Sequence, residues 1–288
     1  VVRQLLRFDR GGEHEPLDFP AAELLGHTEA EESLTINGEK MPLEELYRAN
    51  TERFATVYPD KGINHAPVME AMPALRSFTY PGEAVERPVV FIPVFPGSNC
   101  DYDTAKAFRR AGAEVRSEVF CNLTAEAIFD SIRRMKEAIA ACHIFVLCGG
   151  FSAGDEPDGS GKFIANVLNN KDISEEIHRL LDRGGLILGI CNGFQALVKS
   201  GLLPYGRLGL VTKESPTLFR NDINRHVSQI VSTRVATTNS PWLSSFSVGD
   251  IHSIAVSRGE QVRRERASGP RAVRERQVAF QYVDAEGA

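Results

Sequence analysis

The sequence lacks long hydrophobic runs and has only five cysteines among its 288 residues. No apolar stretch approaches the roughly 18 residues that a membrane-spanning helix needs, and residues 1–20, rich in charge and glycine, do not resemble a signal peptide. The cysteines are odd in number and contain no Cys-x-x-Cys pair, which argues against a disulfide framework or a zinc site. We therefore expect reduced thiols, no bound metal and a cytoplasmic location. The five are Cys100, Cys121, Cys142, Cys148 and Cys191.

A strong excess of one charge is also missing. The formal net charge is -5, which gives no general case for nucleic acid or an anionic membrane as a partner. The hydrophobic content of 42% and the charged content of 25% are ordinary for a soluble globular protein. The length permits one large domain or two smaller ones.

The pattern along the chain changes near residue 88. Residues 1–87 are rich in Glu, Pro and Gly, with a turn at 36–39 and one short amphipathic helix within 43–54. From 88 onward, strand-like and helix-like segments alternate. We therefore predict two parts, a tail of a preceding domain with its linker at 1–87 and a separate domain at 88–288.

Alternating segments in the second part predict an α/β fold with an open parallel sheet, because strands joined through helices form right-handed crossovers. The predicted strands are 89–95, 114–120, 143–148 and 186–190; the predicted helices are 104–111, 124–141 and a pair within 160–183. A β-rich carboxyl-terminal part follows, at 227–237, 250–256 and 277–283. Open parallel sheets bind ligands at the carboxyl ends of their strands, which points to the loops 96–103, 149–161 and 191–195.

Cys191 is the candidate nucleophile. It follows the apolar run 186–190 within Gly189-Ile190-Cys191-Asn192-Gly193, a pattern typical of a strand, a sharp turn and a helix start. A helix amino terminus beneath the sulfur favours the thiolate over the thiol. The alternative is a buried structural cysteine.

The glycine-rich loop after the third strand is the candidate oxyanion site. Acyl transfer needs N–H donors for a developing oxyanion, and we predict the backbone amides of Gly150 and Asn192 as that pair. Phe151, Ser152 and Gln195 are predicted to bind substrate, although Gln195 can equally lie on a helix surface. The loop 96–101 either lines the pocket or caps the next helix, and a cap by Asn99 or Asp101 is favoured.

Three motifs together resemble a class I (triad) glutamine amidotransferase domain. They are Gly-Ile-Cys-Asn-Gly-Phe-Gln at 189–195, Gly-Gly-Phe-Ser-Ala-Gly-Asp-Glu-Pro-Asp-Gly-Ser at 149–160, and Pro-Gly-Ser-Asn-Cys-Asp at 96–101. More narrowly, the sequence resembles the carboxyl-terminal glutaminase domain of large, single-chain phosphoribosylformylglycinamidine synthase, and segments 221–226 and 240–243 fit the same family. The resemblance covers 88–257 and resumes at 277–287. It implies a flavodoxin-like open sheet.

The resemblance also implies a reaction. Cys191 would attack the side-chain amide of glutamine, release ammonia and form a γ-glutamyl thioester that water hydrolyses. The ammonia would pass to a synthetase domain of the same full-length chain. That domain would bind ATP and Mg²⁺ and convert formylglycinamide ribonucleotide to the amidine, in purine biosynthesis. No cofactor is expected in the glutaminase domain itself.

The sequence departs from this family in two places. The family takes its catalytic base from a His-Pro-Glu motif that is absent here, so we expect a piece that ends before its base; His226 and His252 are the late histidines, and a structural role is favoured for both. Arg258 stands where the family has His, and the arginine-rich stretch 258–276 lacks strand or helix spacing. We interpret that stretch as a local reading-frame shift and expect it to be poorly packed.

Two other functions remain open. Intracellular cysteine peptidases share a sheet with a cysteine elbow, but they want a His soon after the Cys, where this chain has Asn192. A catalytically degenerate amidotransferase domain, kept as a structural or interaction module, is consistent with the missing base and with Arg258.

Overall fold

A computed structural model describes residues 30–53, 85–152, 161–213, 215–221, 223–263 and 277–284. The chain divides into two compact units, Val1–Lys61 and Gly62–Ala288. In the first unit, strands β1 (Ser33–Ile36) and β2 (Glu39–Pro42) pair antiparallel, and helix α1 (Leu43–Thr51) follows. The turn between them is Asn37-Gly38, whose φ angles of 53° and 87° suit a tight hairpin. The predicted turn and helix are confirmed; the predicted linker lies largely outside the described residues.

The second unit contains a four-stranded parallel sheet. Its elements in chain order are β3 (Val89–Val94), α2 (Asp101–Arg110), β4 (Glu114–Val119), α3 (Ala125–Ala141), β5 (Ile144–Leu147), α4 (Lys162–Leu168), α5 (Lys171–Asp182) and β6 (Leu186–Gly189). The strand order is β4-β3-β5-β6. All three neighbouring pairs are parallel, so the predicted α/β fold with an open parallel sheet is confirmed. None of the described helices is long and apolar enough to cross a membrane.

The two central strands carry the core. Val90, Phe91 and Ile92 of β3 are at most 1% exposed, and Phe145 and Val146 of β5 are fully buried. Strands covered by helices on both faces are continuous apolar runs, which explains why these two were easy to predict. Each such side chain contributes about 1.5–3 kcal/mol when it leaves water, so this sheet is a firm platform for the loops at its end.

Helix α3 begins and ends on identifiable contacts. The Thr124 hydroxyl accepts a hydrogen bond from the Ala127 N–H at 3.2 Å, a side-chain cap at the helix start. At the other end, the Arg183 guanidinium donates to the carbonyls of Ile139, Ala140 and Cys142 at 2.7, 3.1 and 3.1 Å. A cation there satisfies carbonyls that the helix leaves open and complements the helix dipole. Helix α2, in contrast, begins after Cys100 with no side-chain cap, so the predicted cap by Asn99 or Asp101 is wrong.

The rest of the chain is helical and then β-rich. It contains α6 (Asn192–Lys199), α7 (Leu202–Tyr205), β7 (Thr217–Arg220), β8 (Val227–Val235), a 3-10 turn at Pro241–Leu243, β9 (Ile251–Arg258), β10 (Glu260–Arg263) and β11 (Phe280–Val283). Strands β11-β8-β9 form one antiparallel sheet and β10-β7 another. The predicted strands β8, β9 and β11 are confirmed, whereas β7 and β10 were not predicted.

The expectation of poor packing from residue 258 is wrong for 258–263. Arg258 pairs with Val227, Glu260–Arg263 pairs in register with β7, and Glu260 is only 4% exposed. The Arg258 guanidinium lies 5.6 Å from the ring centroid of Tyr282. Residues 258–263 form strands although their side chains show no alternation of apolar and polar residues. Hydrogen bonds between the backbones of paired strands do not require particular side chains. Residues 264–276 lie outside the described residues.

Candidate active site

Cys191 lies at a sharp turn between β6 and α6. Its backbone has φ 50° and ψ -107°, a region that non-glycine residues seldom occupy and that costs about 1–3 kcal/mol. The Ile190 N–H donates to the Leu147 carbonyl at 3.0 Å, and the Gln195 N–H donates to the Cys191 carbonyl at 3.0 Å. The thiol is exposed. The predicted elbow is confirmed, and the alternative of a buried structural cysteine is wrong.

Two glycines allow helix α6 to start directly against the sheet. A Cβ on Gly193 would lie 2.1 Å from the Leu147 carbonyl oxygen, and one on Gly189 would lie 2.6 Å from Leu197 Cδ1. Both distances are far below van der Waals contact, so no larger residue fits without movement. The glycines thus bring the start of the helix to the end of β5 and fix Cys191 there.

The glycine loop after β5 is clamped to the loop after β3. The Asn99 N–H donates to the Gly149 carbonyl at 3.2 Å, and the Phe151 N–H donates to the Gly97 carbonyl at 2.9 Å. A Cβ on Gly150 would lie 2.4 Å from the Gly97 oxygen. Loop 96–101 therefore lines the site, which is one of the two predicted alternatives, and the close approach requires glycine at position 150.

The backbone N–H groups of Gly150 and Asn192 are both unengaged. Among the described residues neither donates a hydrogen bond: Asn192 is the first residue of α6, and Gly150 lies between the two clamping bonds. Gly149 adjoins both loops, since a Cβ there would lie 3.4 Å from Cys191 Cβ and 3.5 Å from Cys100 Sγ. An oxyanion site needs N–H donors of this kind, and the pairing of Gly150 with Asn192 for that role stays a prediction.

Side-chain hydrogen bonds connect the two loops. Asn192 Oδ1 accepts from the Ser152 N–H at 3.2 Å and from the Ser152 hydroxyl at 2.6 Å. Asn192 Nδ2 donates to Gln195 Oε1 at 3.0 Å. Ser152 is fully buried and supports the elbow through Asn192, and its predicted role in substrate binding stays a prediction. Phe151, 57% exposed, remains at the surface of the site.

Glu260 is a site residue that the sequence did not reveal. Its Oε2 accepts a hydrogen bond from Gln195 Nε2 at 3.1 Å, and its side chain is buried in the second unit. The signal for it was weak, because residues 195 and 260 are far apart in sequence and β10 carries no apolar alternation. The half-buried Gln195 amide is thus held at both ends by hydrogen bonds and is not loose on a helix surface.

The late histidines have other partners. His226 Nε2 is 2.8 Å from the Ser257 hydroxyl, and the His252 ring packs edge-on against Phe246 with centroids 5.0 Å apart. In the described ranges no imidazole is hydrogen-bonded to Cys191. Over the same ranges no group of three His, Cys, Asp or Glu side chains is placed to hold a metal ion.

Buried and exposed thiols differ in this unit. Burial raises the pKa of the Cys142 thiol from 9.0 to about 11 and raises the pKa of the Cys148 thiol as well. Desolvation disfavours a thiolate, so these two cysteines are poor nucleophiles. Cys191, in contrast, is exposed and lies at the start of α6.

Comparison with known sequences identifies the family. The profile of the CobB/CobQ-like glutamine amidotransferase domain matches residues 87–288. This chain belongs to that family. The amidotransferase domain is 29% identical to "Phosphoribosylformylglycinamidine synthase subunit PurQ" of Gloeobacter violaceus, over 67% of this chain and 72% of the relative. It is 42% identical to the protein of that name from Dehalococcoides mccartyi, over 38% of each chain.

A solved structure entitled "Structure of PurLQS from Thermotoga maritima" is also similar to the amidotransferase domain. The two share 25% identity with a TM-score of 0.48, over 69% of this chain and 76% of the other. Within the amidotransferase domain, the six predicted site residues come together at the carboxyl ends of β5 and β6. They are Gly150, Phe151, Ser152, Cys191, Asn192 and Gln195.

Proposed function

We propose that this amidotransferase domain is the glutaminase part of a phosphoribosylformylglycinamidine synthase. One observation carries the proposal: the exposed Cys191 stands on a strained elbow beside two unengaged N–H donors. Membership of the glutamine amidotransferase family indicates that the amide cleaved at such a site is the side-chain amide of glutamine. The names of the relatives support the particular synthase.

The chemistry follows from the geometry. The Cys191 sulfur attacks the side-chain amide carbon of glutamine, and the carbonyl oxygen becomes an anion that accepts from the N–H groups of Gly150 and Asn192. The carbon–nitrogen bond then breaks and the nitrogen leaves as ammonia with an added proton. Water hydrolyses the thioester to glutamate and returns the thiol. We assign the proton transfers to a group outside the described residues, since no imidazole within them is bonded to Cys191.

The ammonia needs an acceptor. We propose a synthetase domain of the same full-length chain, which would bind ATP and Mg²⁺ and use the ammonia to form the amidine from formylglycinamide ribonucleotide. Both ATP and Mg²⁺ are assigned to that partner in this proposal. A cytoplasmic location is part of the same proposal.

A second candidate is a catalytically degenerate domain with a structural or interaction role. The observation that favours it is Arg258, which occupies the position where the family has His and lies against Tyr282 instead of the cysteine. This candidate predicts an elbow without a working glutamine pocket.

Affinity labelling separates the two candidates. A glutamine-mimicking diazo-ketone should alkylate Cys191, and peptide mass spectrometry should locate the adduct. Free glutamine should slow the labelling, and Cys191→Ser should abolish it. Cys121→Ser is the matched control, because Cys121 is also exposed but lies away from the elbow, after β4. Native protein that shows no glutamine-protected label at Cys191 would leave the degenerate domain as the better account.

A further inference from the structure

Glu260 carries a buried carboxylate, and burial of a carboxylate is costly unless other groups compensate for it. It is only 4% exposed, and an ionised carboxylate that leaves water is costly unless hydrogen bonds replace the lost hydration. Its backbone is held firmly. The Asn221 N–H donates to the Gly259 carbonyl at 3.0 Å, and Asn221 Nδ2 donates to the Arg258 carbonyl at 2.9 Å. The turn between β9 and β10 therefore presents this carboxylate at a fixed position.

Hydrogen bonds run in one direction from Ser152 to Glu260. Ser152 donates to Asn192 Oδ1, and Asn192 Nδ2 donates to Gln195 Oε1. Gln195 Nε2 then donates to Glu260 Oε2. An ionised carboxylate only accepts, so it requires the nitrogen end of the Gln195 amide to face it. That choice turns the Gln195 oxygen toward Asn192, where it accepts from Nδ2. The other end of the Asn192 amide is fixed by the Ser152 N–H, which can only donate to Oδ1.

The end of this relay is the residue that follows the nucleophile. Asn192 is the first residue of α6, and its backbone N–H is one of the two unengaged donors at the elbow. Its side chain is held on both ends, which restrains the backbone of a turn that is strained at Cys191. Without an obligatory acceptor at position 260 the Gln195 amide is free to turn over, which deprives Asn192 Nδ2 of its acceptor. The Asn192 side chain is then held at one end only, and the backbone N–H of the elbow is less firmly aimed.

We propose that Glu260 is a positioning residue, which acts through Gln195 to aim the Asn192 N–H at the oxyanion. The proposal rests on the proposed glutaminase function and deepens it. Charge-assisted hydrogen bonds are the strong ones, so the Glu260 carboxylate is enough to set the orientation of the Gln195 amide. A neutral amide at 260 can donate or accept and would set no direction.

Glu260→Gln tests this proposal because it keeps size and shape and replaces an obligatory acceptor with an amide that can also donate. The rate of Cys191 labelling by the diazo-ketone at saturating reagent should fall about tenfold, less than the 100- to 1,000-fold that follows removal of an oxyanion donor. The half-saturating concentration should change little, since the effect lies on the reaction step. Alkylation of Cys191 by iodoacetamide, which uses no oxyanion donor, should stay within about twofold of the unmodified chain.

A matched control and a double variant sharpen the result. Glu137→Gln removes an exposed carboxylate from α3, where it pairs with Arg133, and should leave both labelling rates unchanged. Gln195→Met interrupts the relay, and Glu260→Gln added to it should cause no further loss, because residues in one network are not additive. Additive losses would contradict action through Gln195.

The outcomes distinguish this proposal from the proposed function. If Glu260→Gln leaves diazo-ketone labelling at the unmodified rate, the positioning role is wrong while the glutaminase function stands. If both reagents slow equally, Glu260 is a structural residue and the proposal is also wrong. If the unmodified chain gives no glutamine-protected label at all, the proposed function fails and the positioning role fails with it.

Discussion

Gly193 shows how one missing side chain decides the geometry of the elbow. In a helix, alanine is favoured over glycine by about 1 kcal/mol, so propensity alone predicts that Gly193→Ala stabilises the chain. The contact predicts the opposite, because the added Cβ would lie 2.1 Å from the Leu147 carbonyl oxygen. Overpacking against backbone costs about 1–3 kcal/mol or more, so we expect a net loss of stability and of Cys191 labelling.

Urea unfolding of Gly193→Ala should show this loss as a lower midpoint. Gly206→Ala is the matched control, since its φ is 69° and nothing lies within 4 Å of the added Cβ. Gly206→Ala should lose only about 1 kcal/mol of stability, from the left-handed backbone conformation, and Cys191 should be labelled at the parental rate. A Gly193→Ala chain that is as stable as the parent would contradict the close approach of α6 to β5.

The Cys142 thiol gives a pH dependence at the residue scale. Its pKa is raised from 9.0 to about 11 by burial, so the folded chain holds the proton more tightly than the unfolded chain. The corresponding stability is fully present below pH 9 and is lost as the pH rises toward 11. At about 1.4 kcal/mol per unit, the loss is on the order of 2 kcal/mol.

Denaturant midpoints between these pH values should fall less steeply for Cys142→Ala than for the parent chain. The slopes, not the absolute stabilities, are compared, because the substitution also removes buried volume. Cys121→Ala, at an exposed position, should keep the parental slope. Equal slopes for all three proteins would show that Cys142 does not titrate as expected.

Local pattern was enough for part of the site and not for the rest. Cys191, Asn192 and Gly150 were predictable because an elbow and a glycine loop depend on neighbouring residues in the chain. The hydrogen bonds of Ser152 to Asn192 were not predictable, since the pattern does not say which way a loop side chain turns. Glu260 was missed because its hydrogen bond joins residues that only the tertiary fold brings together.

At the scale of elements, Arg183 links α5 to the end of α3. Its guanidinium donates to three carbonyls and also lies 3.7 Å from the buried Glu176 carboxylate. Arg183→Met keeps much of the length and removes every donor. We expect a loss of about 1–2 kcal/mol, as for hydrogen bonds to a charged group that is partly exposed to water.

Thermal unfolding of Arg183→Met, with Arg133→Met beside it, measures this contribution. Arg133 pairs with Asp130 and Glu137 on the exposed face of α3, where ion pairs stabilise little. The midpoint should therefore drop clearly for Arg183→Met and hardly at all for Arg133→Met. Similar drops for the two variants would show that Arg183 acts only as another surface charge.

The elements that were predicted and those that were missed differ in what holds them. Strands β3, β5 and β6 are continuous apolar runs, and such a composition predicts burial. Helix α3 begins with a capping Thr124 and has apolar residues at helical spacing. Strands β7 and β10 are four residues each and are held by pairing with one another. Backbone pairing between distant segments leaves little trace in sequence, so both were invisible beforehand.

At the scale of the whole second unit, one face of the antiparallel sheet β11-β8-β9 is apolar and exposed. Ile254 and Tyr282 are 53% and 59% exposed, and with their neighbours they border a groove of about 510 Å³. Exposed apolar surface of this kind attracts hydrophobic probes. We expect the native chain to enhance the fluorescence of an anilinonaphthalene sulfonate dye.

Ile254→Lys should weaken that enhancement. Ile230→Lys is the control, because Ile230 pairs with Ala255 and so faces the other side of the sheet, at a similar distance from its ends. Both variants add the same charge to an exposed strand position. Equal dye binding by the two would mean that the groove is not the binding surface.

Trp242 is the only tryptophan in the chain and lies in the 3-10 turn Pro241–Leu243, between β8 and β9. Its indole N–H donates to the Ile187 carbonyl of β6 at 3.2 Å, and its ring meets Phe108 of α2 edge-on at 6.3 Å. The strand it touches is the one that leads into Cys191. Intrinsic tryptophan fluorescence therefore has a single source in this chain. The emission wavelength and anisotropy of Trp242 report whether the turn after β8 is packed against the strand that leads into Cys191, without an added dye.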